Sequence, residues 1–267
     1  MIRIRPPAVA GLFYPIDAAK LESEVAALLL AAPRPARTAS PKVLIVPHAG
    51  YIYSGPVAAS GYAHIAPLRG RVRRVVLLGP THRVAVRGLA LPSTAAFATP
   101  LGPVRLDRDA MRPVTELRQV CVSDEAHAPE HSLEVHLPFL QATLGQFDLV
   151  PFAVGDASAE EVAEVLERLW GGEDTLIVIS SDLSHYLPYP RARARDEFTV
   201  ETILRLKPEL DHQQACGATP INGLLLAARA RRLSTELIDL RNSGDTAGDK
   251  SRVVGYAAVA LHESANG

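Results

Sequence analysis

Three short apolar runs in this chain each lead into a histidine. They are Val43-Leu44-Ile45-Val46-Pro47-His48, Val75-Val76-Leu77-Leu78-Gly79-Pro80-Thr81-His82 and Leu176-Ile177-Val178-Ile179-Ser180-Ser181-Asp182-Leu183-Ser184-His185. Short β-branched runs bounded by Gly, Pro or Ser read as buried strands of a largely parallel sheet. In open α/β sheets, ligands collect outside the carboxyl ends of the strands. Three imidazoles delivered to that edge can converge on one metal ion or one substrate.

The rest of the chain fits the same plan. Asp17 is placed to cap a helix running to about Ala32, and the His48 loop gives way to a helix that Gly55-Pro56 opens. Strand 72–78 leads to His82. Residues 87–106 read as two short strands, and 107–117 and 131–144 as helices around an acidic, histidine-rich loop. Strand 148–154, helix 158–170, strand 174–180 and helices near 191–206 and 220–232 follow. Strands near 234–241 and 252–262 close the chain. Alternating strand and helix predict a single-domain three-layer α/β/α sandwich with a largely parallel central sheet. One domain spans 1–267, with 1–41 an extended segment plus a helix packing on the core. Pro33 to Pro41 is its most linker-like stretch.

Bulk properties remove several classes of function. With 48% hydrophobic and 21% charged residues over 267 positions, the chain can bury a large core. A net charge of -1 gives no electrostatic reason to expect nucleic acid or an anionic membrane as partner. Arg191-Ala-Arg-Ala-Arg195 lacks aromatic interleaving and reads as solvated charge. Cys121 and Cys216 form no CxxC pair, so a reduced compartment is expected. The first residues lack the apolar core of a signal peptide, and a cytoplasmic location is the expectation. No Walker loop, G-x-G-x-x-G or G-x-S-x-G elbow is present.

Five motifs carry candidate chemistry. Pro47-His48-Ala49-Gly50-Tyr51-Ile52-Tyr53-Ser54-Gly55 sets an imidazole among glycines and tyrosines, so that Tyr51 and Tyr53 become candidate pocket residues; a plain turn would also explain the spacing. In Gly79-Pro80-Thr81-His82, Thr81 is placed to hold the ring of His82. Asp182 and His185 meet if their loop makes a helical turn, and a carboxylate beside an imidazole suits acid/base work. Glu130-His131-Ser132-Leu133-Glu134-Val135-His136 is not a zinc-peptidase helix, because its histidines are five apart. His136 reads as a core residue, while Glu130 and His131 border the site. Asn242 to Lys250 carries Asp245 and Asp249 in a glycine-containing loop able to supply an oxygen ligand.

Taken with Ala8-Val-Ala-Gly-Leu-Phe-Tyr-Pro15 and Gly248-Asp-Lys-Ser-Arg-Val-Val-Gly-Tyr256, these blocks resemble the Memo family, in family order and over almost the whole chain. The resemblance implies a fold similar to class III extradiol dioxygenases, and a pocket resembling their non-haem iron site. His48 and His82 match the two metal-ligand histidines. His185 matches the pocket histidine beside the metal, and Asp182 would orient it. Where the animal Memo protein has a ligand cysteine, this chain has Thr246. The third ligand is then Asp245, completing a two-His-one-carboxylate triad, or His185.

The function so implied is a metal-dependent, dioxygenase-like oxidoreductase, with Fe(II) the leading metal and copper or zinc as alternatives. His185 handles protons. Functional association with radical-SAM and AMMECR-type proteins is implied as well, with a small-molecule or peptide substrate. Two other functions use the same pocket: a non-catalytic peptide or phospho-ligand binding module, and a zinc-dependent hydrolase.

Overall fold

The computed structural model describes residues 3–33 and 40–263, so most of the linker-like stretch lies outside the described residues. In chain order the elements are β1 (Ile4–Arg5), α1 (Ala18–Ala31), β2 (Val43–Val46), α2 (Tyr51–Ala63), β3 (Arg74–Pro80), β4 (Leu89–Leu91), β5 (Ala96–Thr99), β6 (Gly102–Arg105), α3 (Arg108–Met111) and β7 (Val120–Val122). Then come α4 (Asp124–His127), α5 (Leu137–Leu144), β8 (Asp148–Val154), α6 (Ala159–Leu169), β9 (Thr175–Ser180), β10 (His185–Leu187), α7 (Tyr189–Leu204), α8 (Ala218–Ala230), β11 (Ser234–Asn242), α9 (Ser243–Thr246) and β12 (Val253–His262). Among the described residues, no helix is long and apolar enough to cross a membrane.

The main sheet runs β10-β12-β2-β9-β3-β8-β4-β7, with β11 also paired to β12. Its centre is parallel: β2 with β9, β9 with β3, and β3 with β8. Both flanks turn antiparallel, where β12 meets β2, β10 and β11 and where β4 meets β8. The apolar runs explain this placement. Every residue of β2 and β9 is buried, which only strands covered on both faces require. Helices flank the sheet, and one core joins it to Leu21 and Val25 of α1, Val165 of α6 and Leu224 of α8. The result is an α/β domain with a central sheet between helices.

Local chemistry sets most of the boundaries. Asp17 caps α1 by accepting from the Lys20 N–H at 2.9 Å, and Ser158 and Glu161 form a capping box on α6. Pro113 cuts the helix expected over 107–117 to α3 plus a 3-10 turn at Arg112–Val114. Pro138 sits in the first turn of α5, so the expected 131–144 helix becomes a 3-10 turn, Glu134–His136, followed by α5. The 87–106 region holds three strands, because β5 pairs with both β1 and β6 in a small second sheet.

α2 departs most from its local signals. It starts at Tyr51, ahead of Gly55-Pro56, and carries Pro56 inside it. The Tyr51 N–H donates to the carbonyl of Phe13 at 2.8 Å, so a distant segment fixes the helix start.

That segment is itself clamped. Buried Glu134 accepts from Arg5 Nη1 at 2.6 Å, from the Ala8 and Val9 N–H groups at 2.6 and 3.0 Å, and from Tyr14 Oη at 2.6 Å. The extended N-terminal stretch is thereby tied to the Glu130–His136 motif.

Candidate metal centre

β2, β9 and β3 lie side by side and parallel, so their carboxyl ends open on one edge. His48 follows β2 by two residues and His82 follows β3 by two, which brings their rings to 5.1 Å between centroids. The third ring there is His131, at 5.4 Å from His48 and stacked on His82 at 4.6 Å. One ligand atom from each of His48, His82 and His131 lies within 4.8 Å of the others.

His131 arrives from the Glu130–His136 segment, which crosses the end of β3 over Gly79. A Cβ on Gly79 would meet Ser132 Oγ at 2.8 Å, and Ser132 Oγ donates to the Pro80 carbonyl at 2.8 Å. Only glycine lets the segment lie that close.

Hydrogen bonds fix which ring nitrogens are free. Ser180 Oγ donates its single proton to the Ser132 carbonyl at 2.6 Å, so at 2.6 Å from His48 Nδ1 it acts as acceptor. His48 is therefore protonated on Nδ1 and bare on Nε2. His82 Nδ1 donates to Glu130 Oε1 at 2.9 Å, which leaves its Nε2 bare too. Metal-bound histidines characteristically have this arrangement, with the distal ring N–H held by a carboxylate or other acceptor.

Glu130 organises the cluster. Its carboxylate also accepts the N–H groups of His82, His131 and Ser132 at 2.6, 2.9 and 2.9 Å, and lies 3.3 Å from His131 Nδ1. Burial works to raise its pKa, but the hydrogen bonds from the His82 ring and from the backbone N–H groups outweigh that and hold it at about 2. Burial pushes His48 well below its ordinary value, and the neighbouring imidazoles push the same way. Burial likewise brings His131 down to about 4, against the opposing pull of Glu130. Neutral imidazoles with a bare ring nitrogen are what a divalent transition metal needs.

The expected residues divide into those inside the cluster and those beside it. His48 and His82 are inside it. His185 begins β10 opposite Val254 and lies outside the three-histidine group, near enough to His82 for that ring to help burial lower its pKa. Asp182 does not take His185; its Oδ1 accepts the His48 backbone N–H at 2.8 Å, and burial raises its carboxyl to about 7. The loop makes no helical turn there, because residues 181–184 run irregularly into β10.

Asp245 is placed elsewhere. It caps α9 by accepting the Asn242 N–H at 3.0 Å and takes the Tyr189 hydroxyl at 2.5 Å. Thr246 Oγ1 donates to the Ser243 carbonyl at 3.3 Å. The short α9 turn uses both side chains locally, so neither belongs to the histidine group.

Tyr51 is buried and donates to the Val135 carbonyl at 2.7 Å, a packing role, whereas Tyr53 is exposed. Thr81 bonds Val154 through its backbone, and it is Glu130 that holds the His82 ring. His136 is a core histidine, fully inside and bonded by Tyr62 Oη at 2.9 Å.

Sequence spacing missed Cys216. Its Sγ lies 3.4 Å from His48 Nε2 and accepts the Asp182 N–H at 3.3 Å. A single cysteine ahead of α8 carries no local signal of such a position. Phe13 adds an aromatic wall, 4.9 Å from His131.

The donor set left at the centre is three imidazoles, a combination compatible with zinc, copper or iron. Comparisons with known proteins agree with this reading of the fold and the motifs. The family described as Memo-like protein matches residues 5–260. A MEMO1 family protein of Aquifex aeolicus is 38% identical, covering 97% of this chain and 99% of its own length. One from Ignicoccus hospitalis is 37% identical, covering 96% and 98%. A crystal structure of an uncharacterized Escherichia coli K12 protein, JW3007, shares the fold at a TM-score of 0.53 and 16% identity, over 81% of this chain and 98% of that one. Spanning the strand-end histidine loops and the segment that carries His131, the family match covers every element of the centre, and this chain belongs to the Memo family.

Proposed function

We propose that the chain is a metal-dependent enzyme whose ion is held by His48, His82 and His131, and that it acts as a non-haem iron or copper oxidoreductase. The observation that carries this is the convergence of three ring nitrogens within 4.8 Å, two of them with tautomers fixed so that Nε2 is bare. Such a metal supplies Lewis-acid or redox chemistry at its open positions.

The chain's own residues do the rest. Glu130 holds His82 and His131 in place, and Ser180 holds His48. His185, beside the group and uncharged at neutral pH, takes or returns a substrate proton. Phe13 closes one side with an apolar face, and the exposed Tyr53 stands on the loop that carries His48. Association with radical-SAM and AMMECR-type proteins in the cytoplasm is part of this proposal and is supported by the family resemblance.

The donor set favours one further reading. Three imidazoles without a carboxylate ligand and with an open position also suit zinc-bound water and hydrolysis.

Anaerobic purification with metal analysis tests the site. Wild type is expected to hold one transition metal, and His48→Ala, His82→Ala and His131→Ala each to lose it. Retention of wild-type stoichiometry in all three variants would overturn the centre. Substrate-dependent oxygen uptake separates the oxidoreductase from a zinc hydrolase, whose turnover proceeds without oxygen.

A further inference from the structure

β3 and β8 are parallel, with Arg74 beside Asp148 at their amino ends, and β3 delivers His82 at its carboxyl end. The amino ends therefore open on the edge of the sheet opposite the histidine centre. A cavity of about 1100 Å³ lies there, bounded by the turn before β3, by β6 and by the end of α5.

The charges around this cavity do not balance. Arg69, Arg73 and Arg105 line it with a single carboxylate, that of Asp148. Arg105 is committed to that carboxylate, its Nε and Nη2 each donating to an oxygen at 2.7 Å. Arg69 is fixed without being neutralised. Its Nη1 donates to the carbonyls of Ala142 and Thr143 at 2.7 and 3.3 Å, and among the described residues its Nε–Nη2 edge has no partner. Arg73 is held by its backbone, whose N–H donates to the Asp174 carbonyl and whose carbonyl accepts the Asp148 N–H, both at 2.8 Å. Its guanidinium has no hydrogen-bond or ion-pair partner among the described residues. Capping the end of α5 accounts for Arg69 alone. It gives no reason for a second, unpartnered arginine beside an open cavity.

The floor has a different character. Val72, Val104, Leu144 and Phe147 are buried and line the same cavity. Apolar walls with a few polar groups at fixed places are the usual build of a small-molecule site.

We propose that this groove binds a phosphomonoester with an apolar or aromatic body, of the size of a nucleoside monophosphate. Charge selects the head group. A carboxylate brings one negative charge against two uncompensated guanidinium groups, whereas a phosphomonoester brings roughly 1.5 to 2 at pH 7 and three acceptor oxygens. The free Nε–Nη2 edge of Arg69 takes two of those oxygens in parallel, and Arg73 closes on the third. The body lies on Val104 and Phe147. This site is separate from the histidines and needs no metal there.

Isothermal titration with adenosine monophosphate, inorganic phosphate and adenosine, in low-salt buffer without added metal, tests the groove. The monophosphate is expected to saturate one site in wild type, and phosphate and adenosine each to bind more weakly. Arg73→Gln removes a guanidinium that holds nothing in the fold, so it should melt like wild type yet bind the monophosphate about tenfold more weakly. Arg73→Lys recovers part of that loss, and added salt weakens wild-type binding. His82→Ala binds as wild type does. In wild type the ligand slows amide exchange over residues 144–148 and leaves 130–132 unchanged.

No binding of the monophosphate at millimolar concentration would overturn the proposal. So would phosphate or adenosine binding as tightly as the monophosphate, or wild-type affinity in Arg73→Gln. Loss of binding in His82→Ala, or protection at 130–132 in place of 144–148, would put the phosphate at the histidine centre and equally refute the groove.

Discussion

Glu130 concentrates more of the centre's order than any histidine does. It is 1% exposed, yet it accepts one ring N–H and three backbone N–H groups from the residues it positions. Glu130→Gln keeps the shape but cannot accept all four donors. Metal affinity is expected to fall about 10–100-fold, as when other supporting partners of metal ligands are lost. Isothermal titration with zinc or cobalt measures this. An unchanged affinity would show that Glu130 supports the fold alone.

A second histidine makes a pH prediction away from the metal. His127 is 2% exposed and donates through Nε2 to the Ala90 carbonyl at 2.8 Å. Burial depresses it from 6.5 to about 4, with the Ala90 bond and the charges of Asp124 and Glu130 pulling up and Arg5 pulling down. The folded state thus favours neutral His127 more than the unfolded chain does. Its stabilisation is fully present above pH 6.5 and is lost as pH falls toward 4, on the order of 3 kcal/mol across the window. Urea midpoints of wild type and His127→Gln from pH 7 to 4 are expected to converge on acidification. Parallel curves would assign the acid sensitivity to other groups.

At the scale of elements, the centre depends on a segment that is remote in sequence. The N-terminal stretch reaches the site because Arg5, Tyr14 and two backbone amides converge on Glu134. Glu134→Ala leaves a buried arginine unpaired, a loss of roughly 3–5 kcal/mol. Chymotrypsin should then cut faster near Leu12, which is already 81% exposed, and exchange of the Tyr51 amide should speed up as Phe13 lets go. Equal protease half-lives in the two proteins would refute the clamp.

Elements also show where sequence patterns can be read and where they fail. The runs of β2, β3, β8 and β9 were legible because burial on both faces demands apolar residues at every position. The Asp17 and Ser158 helix starts were legible because capping is local chemistry. The start of α2 was not, since its first amide is satisfied by Phe13 across the fold. Asp245 was misleading for a related reason: an acidic loop with glycines looks the same whether its carboxylate faces a metal or caps a single helical turn.

For the whole molecule, the proposed metal ties binding to stability. A ligand bound only by the folded state adds RT ln(1 + [L]/Kd), about 2.7 kcal/mol at a free concentration of 100 Kd. Chelation should lower the melting temperature of wild type and leave His82→Ala unmoved. Equal shifts in both would place the stabilising ion elsewhere. By contrast, Ile177→Ala in the fully buried β9 is expected to cost about 2–5 kcal/mol with metal stoichiometry intact. Denaturant melts with metal analysis of the folded fraction separate the two effects.

The amino-acid sequence alone determined the α/β plan and the arrival of His48 and His82 at one sheet edge. Strand burial and chain direction are written in local pattern, so a residue just after a parallel strand must emerge where its neighbours emerge. Tertiary structure alone decided the membership of the centre. His131 enters over Gly79, Cys216 lies 3.4 Å from His48, and Asp245 is engaged by its own cap. Ligand sets are fixed by distances between segments far apart in the chain, and such distances follow from packing and hydrogen bonds that no local spacing encodes.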